Sequence, residues 1–171
     1  MANFASGELI AWVRPHRDLH TMKDFSCARI RSGLSGEVLR FAGASAAAEL
    51  VLSHAEQETH EGLFDALEAA LDELEGAPTA RLPGTVLVAL WTITRAFGFA
   101  PQLDPCVRCH TTLGAGEVGR FDFSAGGLRC LACGEDAAGP RLGPIARRQL
   151  RSLLSGEIPA DLDHSRRHLG L

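Results

Sequence analysis

The chain has 171 residues, of which 46% are hydrophobic and 22% are charged. This length fits one ordinary core with a small satellite, and this composition excludes an intrinsically disordered protein. No apolar run reaches the roughly 18 residues of a membrane span, and the N-terminus lacks a signal-peptide pattern, so we expect a cytoplasmic protein with no membrane partner.

Charge is segregated along the chain, although the net charge is only −4. Residues 44–76 hold nine carboxylates and no Lys or Arg, whereas residues 1–43 hold six basic groups and four acidic ones. From residue 140 onward there are six Arg and three acids. Because a phosphate backbone is attracted by a local basic surface, only the N-terminal piece and the Arg-bearing tail are expected to contact nucleic acid.

Two short strands are predicted near the N-terminus, at residues 8–13 and 25–31. Each is rich in β-forming residues and is followed by a turn signal, Arg14-Pro15 or Ser32-Gly33. Cys27, in the second strand, is predicted to be a small buried residue. Because two strands do not make a stable sheet alone, either another segment joins them or the sheet extends beyond this chain.

Three helices are predicted next. The alanine-rich run favours a helix over 35–54, although Gly36 and Gly43 oppose it. The 3, 4 and 7 spacing of apolar residues predicts an amphipathic helix over 61–74, whose acids should face water without partners. A helix over 85–97 is apolar nearly all round, which predicts a central core helix with Trp91 as a core aromatic, and Gly98 is placed to end it.

The strongest motif is a pair of CxxC sequences, with Cys106 and Cys109 separated by twenty residues from Cys130 and Cys133. Two residues between thiols allow a tight turn to point both sulfurs at one centre, and two such knuckles supply the four ligands of tetrahedral zinc at about 2.3 Å. Four thiolates leave no open position for water, so the predicted Zn²⁺ is structural.

Alternatives to this site are a redox CxxC, which is disfavoured without a βαβ context, and replacement of one ligand by His110. The enzyme motifs GxxxxGK[ST], HExxH and GxSxG do not occur in the chain, and no GxGxxG follows a predicted strand. We therefore expect no catalytic residues and no enzymatic activity.

The segment from Leu90 to Cys133 resembles the C-terminal half of the bacterial recombination mediator family RecO. The resemblance rests on Phe-Gly-Phe-Ala-Pro-Gln-Leu-Asp at 97–104, on the two cysteine pairs, and on Phe-Asp-Phe-Ser at 121–124 with Gly-Gly-Leu at 126–128. It covers roughly residues 8–158. Its most specific part is the combination of the 98–104 sequence with the cysteine knuckles.

This resemblance implies a mainly α fold, with a helical bundle, a small zinc-ribbon-like knuckle domain and a partial N-terminal OB-fold. The implied parts are OB-fold strands at 1–34, the bundle at 35–105, a four-cysteine insert at 106–139, and C-terminal helices completing the bundle at 140–171. Relative to the family pattern, we expect only the last strands of the OB barrel and a shortened final helix.

The function implied by the resemblance is DNA repair and homologous recombination. RecO proteins bind single- and double-stranded DNA, anneal complementary strands, and work with RecR to help RecA replace single-strand-binding protein. The resemblance thus implies these partners and a place at the bacterial nucleoid. The alternative is a zinc-ribbon protein-docking module without DNA activity.

DNA contacts are predicted where basic side chains alternate with Trp12 and Phe25 on the OB-like surface. These basic residues are Arg14, Arg17, Lys23, Arg29 and Arg31. Arg147, Arg148 and Arg151 are instead predicted to be ordinary helix-surface groups.

Overall fold

The structure is a computed structural model that describes residues 3–16, 19–55 and 61–162. This part of the chain contains four α-helices and two small antiparallel sheets. The prediction of a mainly α fold is confirmed at this level. No helix among the described residues is both long enough and apolar enough to cross a membrane.

Strands β1 (Ser6–Trp12) and β2 (Thr21–Arg29) form an antiparallel two-stranded ribbon with two register irregularities. Within the described residues neither strand pairs with anything else. Large apolar side chains on the ribbon are exposed, including Trp12 at 62%. Cys27 is also exposed, so its prediction as a buried residue is wrong: among the residues that the structure describes, no other element covers that part of the ribbon.

Helices α1 (Val38–His54), α2 (Glu61–Gly76) and α3 (Leu82–Ala96) form a bundle in which α3 packs against α1, α2 and α4 (Pro144–Leu154). The central position predicted for α3 is confirmed. The predicted boundaries differ by a few residues, because Ser32–Gly36 forms a 3-10 turn before α1 and Pro83 allows α3 to begin one turn early. Gly98 has φ +85°, which ends α3 as predicted.

The bundle core is built from small side chains on α1 and larger ones on α2 and α3. Gly43 lets α1 approach α3 closely, because a Cβ there would lie 2.5 Å from Cγ2 of Val86. Trp91 is only half-buried, so the core aromatic predicted on α3 lies at the edge of the packing. The buried residues of this core are Leu34, Ala44, Ala47, Leu63, Ala70, Leu71, Leu74, Leu82, Ala89 and Ile93.

Arg31 joins the ribbon to the bundle. Its side chain is buried, with Nε 2.6 Å from Oδ1 of Asp72 and one terminal nitrogen 3.0 Å from Oε2 of Glu68. Burial disfavours the charged guanidinium, but the hydrogen bonds to Glu68 and Asp72 raise the pKa of Arg31 above its usual value. Its other terminal nitrogen donates to the Phe4 carbonyl and to Oγ of Ser6.

The acids of α2 are thus not all solvated groups without partners. Besides Glu68 and Asp72, Glu75 accepts a hydrogen bond of 2.9 Å from the backbone N–H of Gly33. The prediction of an unpartnered acidic face is wrong for these three residues. Hydrophobic periodicity places a carboxylate on the outer face of a helix but carries no information on which distant cation it meets.

A second, smaller unit follows α3. Strands β3 (Gly119–Asp122), β4 (Gly127–Arg129) and β5 (Arg141–Leu142) form a sheet in the order β4-β3-β5, and α4 comes directly after β5. This unit has its own apolar cluster, to which α4 contributes two side chains. Its members are Leu103, Cys106, Leu113, Leu128, Phe121, Leu142, Leu150 and Leu154, with Cys130 and Cys133 at its edge.

Candidate metal centre

The first cysteine pair lies in a tight turn after α3. The backbone N–H of Cys106 donates to the Thr111 carbonyl at 2.9 Å, and the N–H of His110 donates to the Cys106 carbonyl at 2.8 Å. His110 has φ +60°, a left-handed conformation that closes the turn. Both thiols of the pair are thereby presented on one side of the turn.

The second cysteine pair starts directly after β4, and Leu131–Cys133 is a single 3-10 turn. The N–H of Cys133 donates to the Cys130 carbonyl at 3.1 Å, which forms the second knuckle. The N–H of Cys130 donates to Sγ of Cys106 at 3.4 Å. Gly127 allows the two cysteine turns to approach each other, since a Cβ at this position would lie 2.5 Å from Cγ1 of Val107.

The four sulfurs converge as the spacing predicts. The Sγ atoms of Cys106, Cys109, Cys130 and Cys133 lie within 4.8 Å of one another, and Cys109 and Cys130 are 3.8 Å apart. A tetrahedron with zinc–sulfur bonds of about 2.3 Å has edges of about 3.8 Å, so the donor set fits this metal. His110, the alternative ligand, is not a member of the cluster.

The pKa shifts of three of the thiols favour a cation at the centre of the cluster. Burial opposes ionisation of Cys106, yet the backbones of Cys109, Cys130 and Arg108 lower the pKa of this thiol to about 6. Hydrogen bonds with Thr111 lower the pKa of Cys109, whereas hydrogen bonding with the Cys130 thiol raises the pKa of Cys133 to about 12. The pKa values of two thiols are lowered and that of Cys133 is raised, which is the behaviour of a thiol set that needs a positive charge at its centre.

Arg147 of α4 ties the metal centre to the rest of the molecule. Its guanidinium is buried and donates to the carbonyls of Leu113, Gly114 and Glu117 at 2.9–3.2 Å, with Asp104 as an ion-pair partner at 3.4 Å. These carbonyls belong to the loop between the two cysteine pairs. The prediction that Arg147 is a surface group is wrong, because the carbonyls of this loop have no helix or sheet partners and use the guanidinium instead.

The turn between β3 and β4 is held by Asp122. Its Oδ1 accepts hydrogen bonds from the Ser124 hydroxyl at 2.6 Å and the Ser124 N–H at 3.0 Å, and its other oxygen forms an ion pair with Arg129. The Ser124 hydroxyl is the main cause of the lowered pKa of Asp122. This turn fixes the strand that carries Cys130.

The predicted DNA contacts lie in different settings. Arg14, two residues after β1, and Lys23 on β2 are exposed, and Lys23 Nζ lies 5.7 Å from the ring centroid of Trp12. Arg29 is half-exposed and forms an ion pair of 2.8 Å with Asp72. Arg17 lies outside the described residues.

The structure corrects the role predicted for Arg31. Its buried, doubly ion-paired side chain leaves no surface for a phosphate, so its prediction as a DNA contact is wrong. The two-residue alternation of a strand predicts that Arg31 projects from the basic side of the ribbon. The carboxylates that cover its side chain come from a helix about 40 residues later in the chain.

These features define a helical domain that carries a four-cysteine knuckle capable of holding a metal ion. Residues 36–162 match the family model described as "Recombination protein O C terminal". The chain therefore belongs to the RecO family, which confirms the resemblance found in the sequence.

Relatives with the printed name DNA repair protein RecO match most of this chain. The protein of Anaeromyxobacter sp. (strain K) is 38% identical over 144 residues, which are 82% of this chain and 54% of that protein. The Gloeobacter violaceus protein is 28% identical over 158 residues, 91% of this chain and 60% of that protein. The chain thus spans little more than half the length of these relatives.

Proposed function

We propose that the chain acts in DNA repair and homologous recombination as a non-enzymatic mediator that binds and anneals DNA and, with RecR, assists the loading of RecA. The observation that carries this proposal is the family match over residues 36–162, together with relatives named DNA repair protein RecO. Single-strand-binding protein is the further partner of the proposed mediator, and the nucleoid in the bacterial cytoplasm is its proposed location.

The proposed cofactor is one structural Zn²⁺ held by Cys106, Cys109, Cys130 and Cys133. Four converging sulfurs, one of them fully buried, support this assignment. Zinc on four thiolates supplies no open position for substrate, so it links the two knuckles and contributes to folding. We assign no catalytic step to any residue.

Within this proposal the parts of the chain have separate roles. Residues 1–34 supply OB-fold strands and DNA contacts at Arg14, Arg17, Lys23 and Arg29. Residues 35–105 form the docking bundle, 106–139 the zinc insert, and 140–171 the helices that complete the bundle, of which 163–171 lie outside the described residues. The ribbon is exposed and places Lys23 over the ring of Trp12. This arrangement supports a role in binding single strands, because such proteins combine basic groups that follow the backbone with aromatic rings on which bases stack.

An annealing assay tests the function. Two complementary labelled oligonucleotides are mixed with the purified chain, and duplex formation is followed by fluorescence transfer. The mediator proposal expects acceleration over the protein-free rate, with a strong decrease as salt rises. An unchanged rate would instead favour the second candidate, a zinc-ribbon protein-docking module, which the net charge of −4 and the exposed apolar ribbon support.

Metal content tests the cofactor separately. One zinc per chain is expected by elemental analysis, and chelation should lower the melting temperature, because binding to a folded site stabilises the fold. Serine replacement of Cys109 should give the same loss without chelator. A chain that holds no zinc when refolded with the metal, or whose melting is unchanged by chelation, would contradict the assignment.

A further inference from the structure

We propose that three arginines on the outer face of the β4-β3-β5 sheet form a binding surface for the sugar-phosphate backbone of a nucleic-acid strand. The surface, which we name the arginine row, consists of Arg129, Arg120 and Arg141. This inference rests on the proposed DNA function and assigns it a second contact region, separate from the N-terminal ribbon.

The register of the sheet produces the row. Arg120 on β3 is directly opposite Arg129 on β4 and also directly opposite Arg141 on β5. Residues that face each other across antiparallel strands project from the same side of the sheet, and adjacent strands are about 4.8 Å apart. Three guanidinium-bearing side chains thus start side by side along a line that crosses all three strands.

The opposite side of the same sheet explains why the row faces outward. Phe121 is paired with Leu128, and both belong to the apolar cluster that contains Cys106. Leu142, beside Arg141, lies in this cluster too. The sheet therefore has one apolar side against α4 and the cysteines, and one cationic side away from that core.

The charges on the cationic side are not balanced. Asp122 is ion-paired to Arg129, and the one hydrogen bond that the Arg120 side chain donates among the described residues goes to the Ala137 carbonyl at 2.8 Å. Arg141 is exposed, and within the described part of the chain no carboxylate forms an ion pair with it or with Arg120. Like charges directly opposite each other destabilise a sheet, so such an arrangement in a chain of net charge −4 indicates an anionic ligand.

Space for the ligand is present beside two of the arginines. An open cavity of about 380 Å³ is lined by Arg120, Arg141, Glu135 and Leu131. Glu135 is the carboxylate that borders it, so the surface has two unpaired guanidiniums and one acid. A guanidinium has five donors in a planar fork that fits phosphate oxygens, and Arg120 keeps donors free beyond the bond to Ala137.

The regularity of the row favours a nucleic acid over an acidic peptide. Every nucleotide carries a phosphate, so neighbouring guanidiniums find a charge in any register of the strand. An extended peptide presents side chains on one face only about every 6.8 Å, and it would need an acid at each of these positions. Arg148 on α4, by contrast, is already paired with Asp161 at 2.8 Å.

The test measures binding of a labelled oligothymidylate of about 25 nucleotides to the full chain by fluorescence anisotropy over a range of salt concentrations. Arg141→Ala should weaken binding about fivefold at 0.1 M salt and reduce the slope of log K against log salt by about 0.7, the contribution of one phosphate contact on a single strand. Arg141→Lys should keep most of the slope. Arg148→Ala, with the same loss of charge on α4, should leave binding within about twofold.

Each possible result either supports or overturns the arginine row as a nucleic-acid binding surface. Binding by the wild-type chain with equal salt slopes for Arg141→Ala and Arg148→Ala overturns the arginine row and leaves the proposed DNA function standing. A wild-type chain that binds no oligonucleotide overturns both. Displacement of the oligonucleotide by poly-glutamate as effectively, per charge, as by unlabelled oligothymidylate assigns the row to acidic peptides and overturns the nucleic-acid proposal. Unchanged zinc content and melting of Arg141→Ala show that any loss comes from binding, since this side chain has no partner in the described structure.

Discussion

Replacement of Arg147 by alanine should destabilise the protein far more than any exposed arginine does. The side chain is 2% exposed and donates to three loop carbonyls as well as to Asp104. Truncation leaves these carbonyls without their charged donor and opens a gap beneath the loop. Removing one partner from a buried, charged hydrogen-bond network costs about 3–5 kcal/mol.

The loss of stability can be measured by thermal melting, and its effect on the metal centre by the rate of metal release. For a chain of this length each 1 kcal/mol lowers the melting temperature by about 2–4 °C, so Arg147→Ala should melt roughly 6–20 °C lower. Because Arg147 holds the loop between the two cysteine pairs, a chromogenic chelator should also remove zinc faster from this variant. Arg148→Ala is the matched control, since the Arg148 side chain is 63% exposed and forms an ion pair with Asp161 at the surface.

Equal melting temperatures for Arg147→Ala and Arg148→Ala would refute this reasoning. Arg147→Lys is expected to be intermediate, because lysine keeps the charge but cannot reach three carbonyls with a planar fork. A variant with a lowered melting temperature that releases zinc at the wild-type rate would show that Arg147 stabilises α4 but does not affect metal binding by the loop between the two cysteine pairs.

Three further predictions concern the bundle and its surface. Leu74→Ala in the fully buried core should cost about 2–5 kcal/mol in chemical denaturation. Gly43→Ala should destabilise the wild-type chain, because its Cβ would overlap Val86, but in a Val86→Ala background the same change should stabilise α1 by about 1 kcal/mol. Arg148 lowers the pKa of Asp161, so a carboxyl NMR titration should give a value below that of a free Asp, and Arg148→Ala should raise it.

These three predictions fail in distinct ways. A Leu74→Ala chain with wild-type stability would show that the core there is not closely packed. Destabilisation by Gly43→Ala in both backgrounds would mean that Val86 is not the obstacle. For Asp161 the sign follows from linkage: a lowered pKa stabilises the fold above the unfolded-state value, and this stabilisation is lost as pH falls through the folded-state value. An Asp161 pKa that Arg148→Ala leaves unchanged would contradict the ion pair.

Local patterns predicted the helices and the cysteine cluster, because their causes lie within a few residues. The apolar run of α3, its end at Gly98, and the convergence of two CxxC turns all follow from short-range geometry. Arg31 and Arg147 could not be placed in this way. Each is an ordinary basic residue in its own segment, and each is buried only because carboxylates or carbonyls 30 to 43 residues away meet it.

The arginine row illustrates the same limit for a surface. Arg120, Arg129 and Arg141 have no common spacing in the sequence, and β5 has only two residues. They become neighbours through strand register, which depends on the turn at Asp122 and on the return of the chain to β3. Gly126 and Gly127 are typical of a turn between two strands, but they do not determine which residues face each other across it.

Cys106 belongs both to the sulfur cluster and to an apolar cluster that Leu150 and Leu154 complete from α4. During synthesis the four thiols leave the ribosome well before those leucines do. Without α4 the apolar cluster around Cys106 would lack these two leucines, so we expect a metal ion bound at that stage to exchange more readily with the solvent. We therefore expect retention of a bound metal ion to depend on the packing of α4, a helix that supplies none of the four sulfurs.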